Sequence, residues 1–367
     1  MTPLRLLITI LAGLLVNATV TPLLIRLAHR NRWYDARNHR KIHVEDTPRI
    51  GGVGIYIGFV VSALVALYLG GAMDAGVAVA GGQPASFGGL VVYFLPLIAG
   101  MTVMHGLGLV DDFRDLRPVV KLVVQIVAGA IVTIGPFRIQ TLTVPFIWYQ
   151  LDLGLFAFPV TILWIVAVSN ALNFIDGVDG LAGGTAAIAT LFFGIIALLS
   201  GHAVVALVTV GLFGTLVGFL IYNAPPARIF MGDSGAYLLG FTLAVIPLIL
   251  SGSGSSSLDL IPAITILGIP ILDMITSVFR RLRRGKHPFS ADREHLHHKL
   301  MDVGCGTWRI LAIAYGGSVV LGAIGVGWYV LPVNLDMAVT LVAWAGLATM
   351  MVSLTRAQRR HIGVDDE

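Results

Sequence analysis

Apolar runs long enough to cross a lipid bilayer recur from one end of the chain to the other, and they decide the solvent in which it folds. A transmembrane helix needs about 20 residues. Runs of that kind occupy residues 3–27, 51–70, 88–109, 119–135, 155–171, 183–200, 203–222, 235–251, 259–279, 309–329 and 336–354. Of the 367 residues, 56% are hydrophobic and only 12% are charged. A soluble domain carries roughly 25% charged residues, so this chain cannot dress a water-facing surface. It must face lipid. The expectation is an all-α, polytopic integral membrane bundle of about 11 transmembrane helices, with residues 1–367 forming one domain.

Charge gives that bundle a direction. An odd number of crossings puts the two ends on opposite sides. Counting residues at the ends of the runs, 22 of the 24 Lys and Arg fall on one side, leaving Arg5 and Arg138 on the other. The Lys/Arg-rich side of a membrane protein is ordinarily cytoplasmic. The amino terminus is therefore expected outside and the carboxyl terminus in the cytoplasm. The net charge of +4 reflects this topology and does not point to nucleic acid. The first apolar run lacks a cleavable-signal pattern. The single cysteine, Cys305, excludes an intrachain disulfide and a cysteine-based zinc site.

The segments expected outside carry little chemistry. Residues 71–87 are Gly- and Ala-rich, 251–257 read as a Gly/Ser turn, and 137–153 read as a small interfacial hairpin. The opposite ends are rich in carboxylates. Asp111 and Asp112 close the third run in V-D-D-F-R-D-L, and Asn170, Asn173, Asp176 and Asp179 follow the fifth in N-A-L-N-F-I-D-G-V-D-G-L-A. Asp233 precedes the eighth run in F-M-G-D-S-G, and Asp273 lies inside the ninth. A carboxylate in hydrocarbon costs roughly 2.5–3.5 kcal/mol on insertion scales. Several at one level would repel unless a cation or substrate gathered them. Oxygen ligands suit Mg²⁺, which commonly binds one or two carboxylates together with substrate phosphates. Taken singly, each motif has a plainer reading: D-D as a solvated helix cap, G-D-S-G as a turn, and His295, His297 and His298 as a solvated loop face. It is their recurrence at one membrane face that carries information.

With these motifs in order, the chain resembles the polyprenyl-phosphate N-acetylhexosamine-1-phosphate transferase family (MraY/WecA-like). The resemblance runs through D-T-P-R-I-G-G at 46–52, V-D-D-F-R-D-L with Lys121 beyond it, the two motifs above, P-I-L-D at 270–273 and K-H-P-F-S-A-D-R-E-H-L-H-H at 286–298. The H-x-H-H ending is similar to the WecA-like branch. That branch implies UDP-GlcNAc as donor and undecaprenyl phosphate as acceptor. UDP-GalNAc and UDP-MurNAc-pentapeptide are the alternative donors. The products would be undecaprenyl-diphosphate-GlcNAc and UMP, the first membrane step of a cell-surface polysaccharide such as O-antigen, in a bacterial inner membrane with the site facing the cytoplasm. By position, Asn173 and Asp233 resemble the family's Mg²⁺ pair, with Mn²⁺ an admissible substitute. Lys121 resembles a phosphate-contacting lysine. Phe230 and Asp179 resemble the positions that receive uracil, and Asn170 is grouped with the substrate-binding residues. Asp111 and Asp112 resemble the pair that activates the acceptor. Arg293 with His295, His297 and His298 resembles the loop that closes over the donor, and Asp176 is a catalytic candidate without an assigned role. Lacking an apolar run of its own, the 286–299 loop is expected to order only over bound donor. The partners are the two substrates and membrane lipid, with a homodimer admissible.

Single in-line displacement at the β-phosphorus is the expected mechanism. Two rivals fit less well. A CDP-alcohol phosphotransferase needs a longer acidic pattern than D-G-V-D-G-L-A supplies. A secondary transporter places its polar groups near the bilayer midplane, whereas here only Asp273 and His105 lie deep.

Overall fold

A computed structural model describes residues 2–34, 47–71, 78–79, 83–84, 87–144, 149–251, 260–285 and 295–362. The helices are α1 (Pro3–Asn31), α2 (Gly51–Gly71), α3 (Phe87–Arg114), α4 (Pro118–Ile134), α5 (Ala157–Ile175), α6 (Leu181–Leu199) and α7 (Ala203–Asn223). They continue as α8 (Gly232–Ser251), α9 (Leu260–Ile266), α10 (Gly268–Arg283), α11 (Leu296–Asp302), α12 (Thr307–Gly327) and α13 (Val333–Ile362). Among the described residues nine helices are long and apolar enough to cross a membrane alone, and α4, with 17 residues, is a shorter apolar helix.

The ninth apolar run is the exception to the expected straight rods. It is split into α9 and α10, which meet at 84°. Pro270 supplies the cause: it has no N–H to donate, and its ring crowds the carbonyl four residues back, which belongs to Ile266, the last residue of α9. The expected hairpin is present. Strands β1 (Thr141–Val144) and β2 (Tyr149–Asp152) pair antiparallel with Thr141 opposite Asp152. Of the turn expected at 251–257, Ser251 ends α8 and residues 252–257 lie outside the described residues.

Helix α8 forms the centre. In its apolar stretch 94% of residues are buried, against 11% in α13. It packs against α2, α3 and α5. Between helices already in lipid, association relies on close van der Waals approach and small residues. A Cβ at Gly108 of α3 would overlap the backbone of Asp233, and one at Gly240 of α8 would lie 2.5 Å from Ser169 Cα of α5. The outward faces carry bare Leu4, Leu15, Leu163 and Val342, as a lipid-facing surface requires. Up-and-down alternation collects the end of α3 and the starts of α4 and α8 at one end of the bundle, where the motifs meet.

Candidate active site

The site is built on the first turn of α8. A helix leaves its first N–H groups without intrahelical partners. Here Asp112, from the last turn of α3, accepts Asp233 N–H at Oδ1 (2.8 Å) and Ser234 N–H at Oδ2 (3.1 Å). A carboxylate at a helix amino terminus also meets the positive end of the helix dipole. Gly232 makes this cap sterically possible. Its φ is +72°, and a Cβ there would lie 2.5 Å from Arg49 O and 2.6 Å from Asp112 Oδ2.

Arg49 closes the other side. Its Nε lies 3.5 Å from Asp112 Oδ1 and its Nη2 3.7 Å from Asp233 Oδ2. Backbone pairing holds its segment in place: Gly51 N–H donates to Phe230 O (2.9 Å), Gly52 N–H to Met231 O (2.8 Å) and Phe230 N–H to Pro48 O (2.8 Å). Burial opposes the Arg49 charge, but the carboxylates of Asp233, Asp112, Asp176 and Asp111 outweigh it and hold the guanidinium above its ordinary value.

Asp111 points elsewhere. Its Oδ2 pairs with Lys121 Nζ of α4 at 2.5 Å, and its Oδ1 accepts Leu116 N–H at 2.7 Å. Asn173, from the last turn of α5, donates Nδ2–H to Asp233 Oδ1 at 2.7 Å. Burial, with the negative charge of Asp233, pushes Asp176 up to about 7 against the pull of Arg49. Four carboxyl groups (Asp111, Asp112, Asp176 and Asp233) thus face two cations, Arg49 and Lys121. When all are ionised, that group carries two negative charges in excess, which suits a divalent cation. Among the described residues no three His, Cys, Asp or Glu side chains form a metal cage of their own.

The glycine-rich turn after α5 and the 224–231 segment form a second wall. Asp179 Oδ2 accepts Ala227 N–H at 2.9 Å, which sets Asp179 beside the segment that carries Phe230. Asn223 clamps both pieces, accepting Gly180 N–H (3.1 Å) and donating to Ile229 O (2.9 Å). Tyr315 of α12 donates to Gly180 O at 2.6 Å.

Of the 286–299 segment expected as a donor-ordered loop, residues 286–294 lie outside the described residues, and the remainder leads into α11. His295 stands at the position just before α11, and His297 and His298 lie within it. His295 and His297 are buried. Two things missing from the linear pattern anchor this segment. Leu296 and Leu300, one turn apart, pack with Ile269, Ile310, Leu321 and Met351. Buried Lys299 donates to Thr355 Oγ1 of α13 at 2.8 Å. The segment also meets the α5 turn: the His295 ring lies 5.1 Å from that of Phe174, and a Cβ on Gly177 would overlap His297 Nε2. Burial, then His298, lowers His297 to about 3, so its ring is neutral.

The structure therefore gathers Asp111, Asp112, Lys121, Asn173, Asp176 and Asp233, sets Asp179 against the 224–231 segment at Ala227, and joins His295 and His297 to the α5 turn. Asn170 is not gathered with them; its Nδ2 donates to Gln125 Oε1 of α4 at 2.7 Å and to Val166 O at 2.8 Å. Arg293 lies outside the described residues. The sequence alone assigns no role to Arg49, Asp273, Asn223 or Tyr315, although Arg49 stands in D-T-P-R-I-G-G and Asp273 in P-I-L-D. For Asn223 and Tyr315 the sequence offers no local signal.

Comparison with known proteins finds a family and named relatives for the chain. The model of glycosyl transferase family 4 matches residues 94–251. A probable undecaprenyl-phosphate N-acetylglucosaminyl 1-phosphate transferase of Bacillus subtilis is 31% identical over 313 residues, covering 85% of this chain and 81% of the relative. A decaprenyl-phosphate N-acetylglucosaminephosphotransferase of Mycobacterium leprae is 30% identical, with coverage of 85% and 81%. An undecaprenyl-phosphate alpha-N-acetylglucosaminyl 1-phosphate transferase of Escherichia coli K12 is 27% identical, with coverage of 80% and 75%.

Proposed function

The chain belongs to glycosyl transferase family 4 and is a multi-pass membrane glycosyl-1-phosphate transferase, and from that premise we propose that it transfers N-acetylglucosamine-1-phosphate from UDP-GlcNAc to undecaprenyl phosphate. One observation carries the reading: Asn173 and Asp233 hydrogen-bond inside a group of four carboxyls served by Arg49 and Lys121. Such a set suits two phosphate-bearing substrates and a hard cation. The relatives' names supply the sugar and the lipid.

The acceptor phosphate is close to a dianion near neutral pH and needs no strong base. One of its oxygens attacks the β-phosphorus of the donor. The bond from that phosphorus to the bridging oxygen breaks, and UMP leaves with the electron pair. Mg²⁺ (or Mn²⁺), held by Asp233 and Asn173, would offset the repulsion between the two anions and stabilise the departing UMP. Lys121, paired with Asp111, receives phosphate oxygens as a compact cation. Asp112 and Arg49 hold the first turn of α8, and with it Asp233, in register. Asp179 and Phe230 form the wall for the uracil, and the neutral His297 and the other histidines cover the donor from the α11 side.

The Lys/Arg asymmetry supports a bacterial cytoplasmic-membrane enzyme with this end of the bundle in the cytoplasm. Its product would start a cell-surface polysaccharide. Purified protein given undecaprenyl phosphate with UDP-GlcNAc, UDP-GalNAc or UDP-MurNAc-pentapeptide in turn should release UMP with the first and not with the last. Comparable turnover of the pentapeptide donor refutes the sugar assignment. UMP release from UDP-GlcNAc without lipid, one per enzyme, refutes single displacement.

A further inference from the structure

Asp273 stands apart from the carboxylates of the α8 site. It lies on α10, three residues beyond Pro270, and its side chain is fully buried. A buried carboxylate is costly unless paired and hydrogen-bonded. Both needs are met by two adjacent residues at the start of α11: Oδ1 accepts Leu296 N–H at 2.7 Å, and Oδ2 lies 2.8 Å from His295 Nδ1. Ser277 Oγ, one turn along α10, lies 3.3 Å from the same nitrogen, and Phe174, next to Asn173, flanks the ring at 5.1 Å. The break at Pro270 is what turns α10, and Asp273 with it, toward the histidine segment.

An imidazole that gives Nδ1–H to a carboxylate is fixed in tautomer and in ring orientation. Its Nε2 is then left as the working nitrogen, an acceptor when neutral and a donor when protonated. We propose that Asp273 is a positioning residue for the transfer reaction, acting through His295 by holding its Nδ1–H and so reserving Nε2 for the donor diphosphate. This rests on the reading of the histidine segment as the donor-facing wall. The same carboxylate caps α11 through its other oxygen, so a single buried group ties the start of that helix and the orientation of its first histidine to α10.

Asp273→Asn separates the two jobs. Its carbonyl oxygen still accepts Leu296 N–H, whereas its amide N–H meets Nδ1 and drives the proton of His295 to Nε2. With UDP-GlcNAc and undecaprenyl phosphate, D273N should lower kcat about 10- to 100-fold, the range for losing a carboxylate that orients a working imidazole. The KM for the lipid acceptor and the thermal unfolding profile should stay near those of the wild type. In a His295→Ala background D273N should cost nothing further, because the two changes act on one group. Multiplying effects, or an unchanged kcat in either single variant, overturn the proposal. ¹⁵N-histidine NMR of the full-length protein tests it independently of turnover. The wild type should show His295 as the Nδ1–H form and D273N should not. The same tautomer in both overturns the assignment, whatever UMP release says about the transferase reading.

Discussion

Asp112→Asn is the most discriminating perturbation of the α8 site. The Asp112 side chain is 1% exposed, and both of its oxygens accept backbone N–H groups, from Asp233 and Ser234. Asparagine keeps one acceptor and turns an NH₂ group toward the other N–H. The change removes one hydrogen bond to a charged acceptor, strands a backbone donor, and takes an anion away from the helix amino terminus. A bond to a charged group is worth about 1.5–3 kcal/mol, and an unmet buried donor costs about 1–3 kcal/mol. Because these overlap, the expected loss of stability is about 2–4 kcal/mol, including the dipole contribution. Asp111→Asn is the matched control. It keeps the bond from Leu116 N–H and leaves Lys121, 22% exposed, to water. Its stability loss should be the smaller of the two, because no backbone donor is stranded and the helix amino terminus keeps its anion, although its turnover should collapse. The assay is thermal unfolding of the purified proteins in detergent, followed by tryptophan fluorescence, beside UMP release. If D112N unfolds like the wild type, or if the two variants lose equal stability, Asp112 is not the cap of α8.

The remaining predictions use the same preparation. Asp233→Ala, or EDTA applied to the wild type, should abolish UMP release while the bundle unfolds at a temperature close to normal; full activity in either case refutes the metal pair. Gly177→Ala forces a methyl into His297 Nε2. An overpacking penalty of about 1–3 kcal/mol there should cut kcat/KM for the donor by about 5- to 150-fold, with the acceptor KM little changed, and wild-type donor kinetics would show that the contact is not made. His297 sits at about 3 when folded, below its ordinary 6.5. Its contribution to stability is therefore complete above pH 6.5 and is lost as pH falls from 6.5 toward 3, about 1.4 kcal/mol per unit. Unfolding scans from pH 7.5 to 5.0 should show that slope, and His297→Gln should flatten it. Cysteine labelling from outside should modify a probe at position 255 and spare one at 291; the reverse pattern refutes the cytoplasmic placement of the site.

The amino-acid sequence alone determined where the chain meets lipid and which end of the bundle carries chemistry. Both follow from counting: apolar run length is a direct measure of membrane crossing, and Lys/Arg asymmetry needs no knowledge of neighbours. The 137–153 hairpin was legible for the same reason, since a strand pair this short in sequence is decided by local turns and alternation. Resemblance of motifs nominated Asn173 with Asp233 and Asp179 with Phe230. Tertiary structure alone separated Asp111 from Asp112. They are adjacent and chemically identical, and only the rotation of α3 against α4 and α8 sends one to Lys121 and the other to two backbone amides. It likewise assigned Asn170 to Gln125 and placed His297 and His298 in a helix with buried His295 at its start, because the leucines that anchor α11 are too few to register as an apolar run. The bend at Pro270 was written in the chain as a proline, yet its consequence was not. Whether a proline kinks a span or merely interrupts it depends on what the next segment finds to pack against, and here that is the carboxylate of Asp273 meeting His295 and Leu296 across a gap of more than twenty residues. Pairings across such distances are fixed by the register of helix against helix, a property that no single stretch of sequence contains.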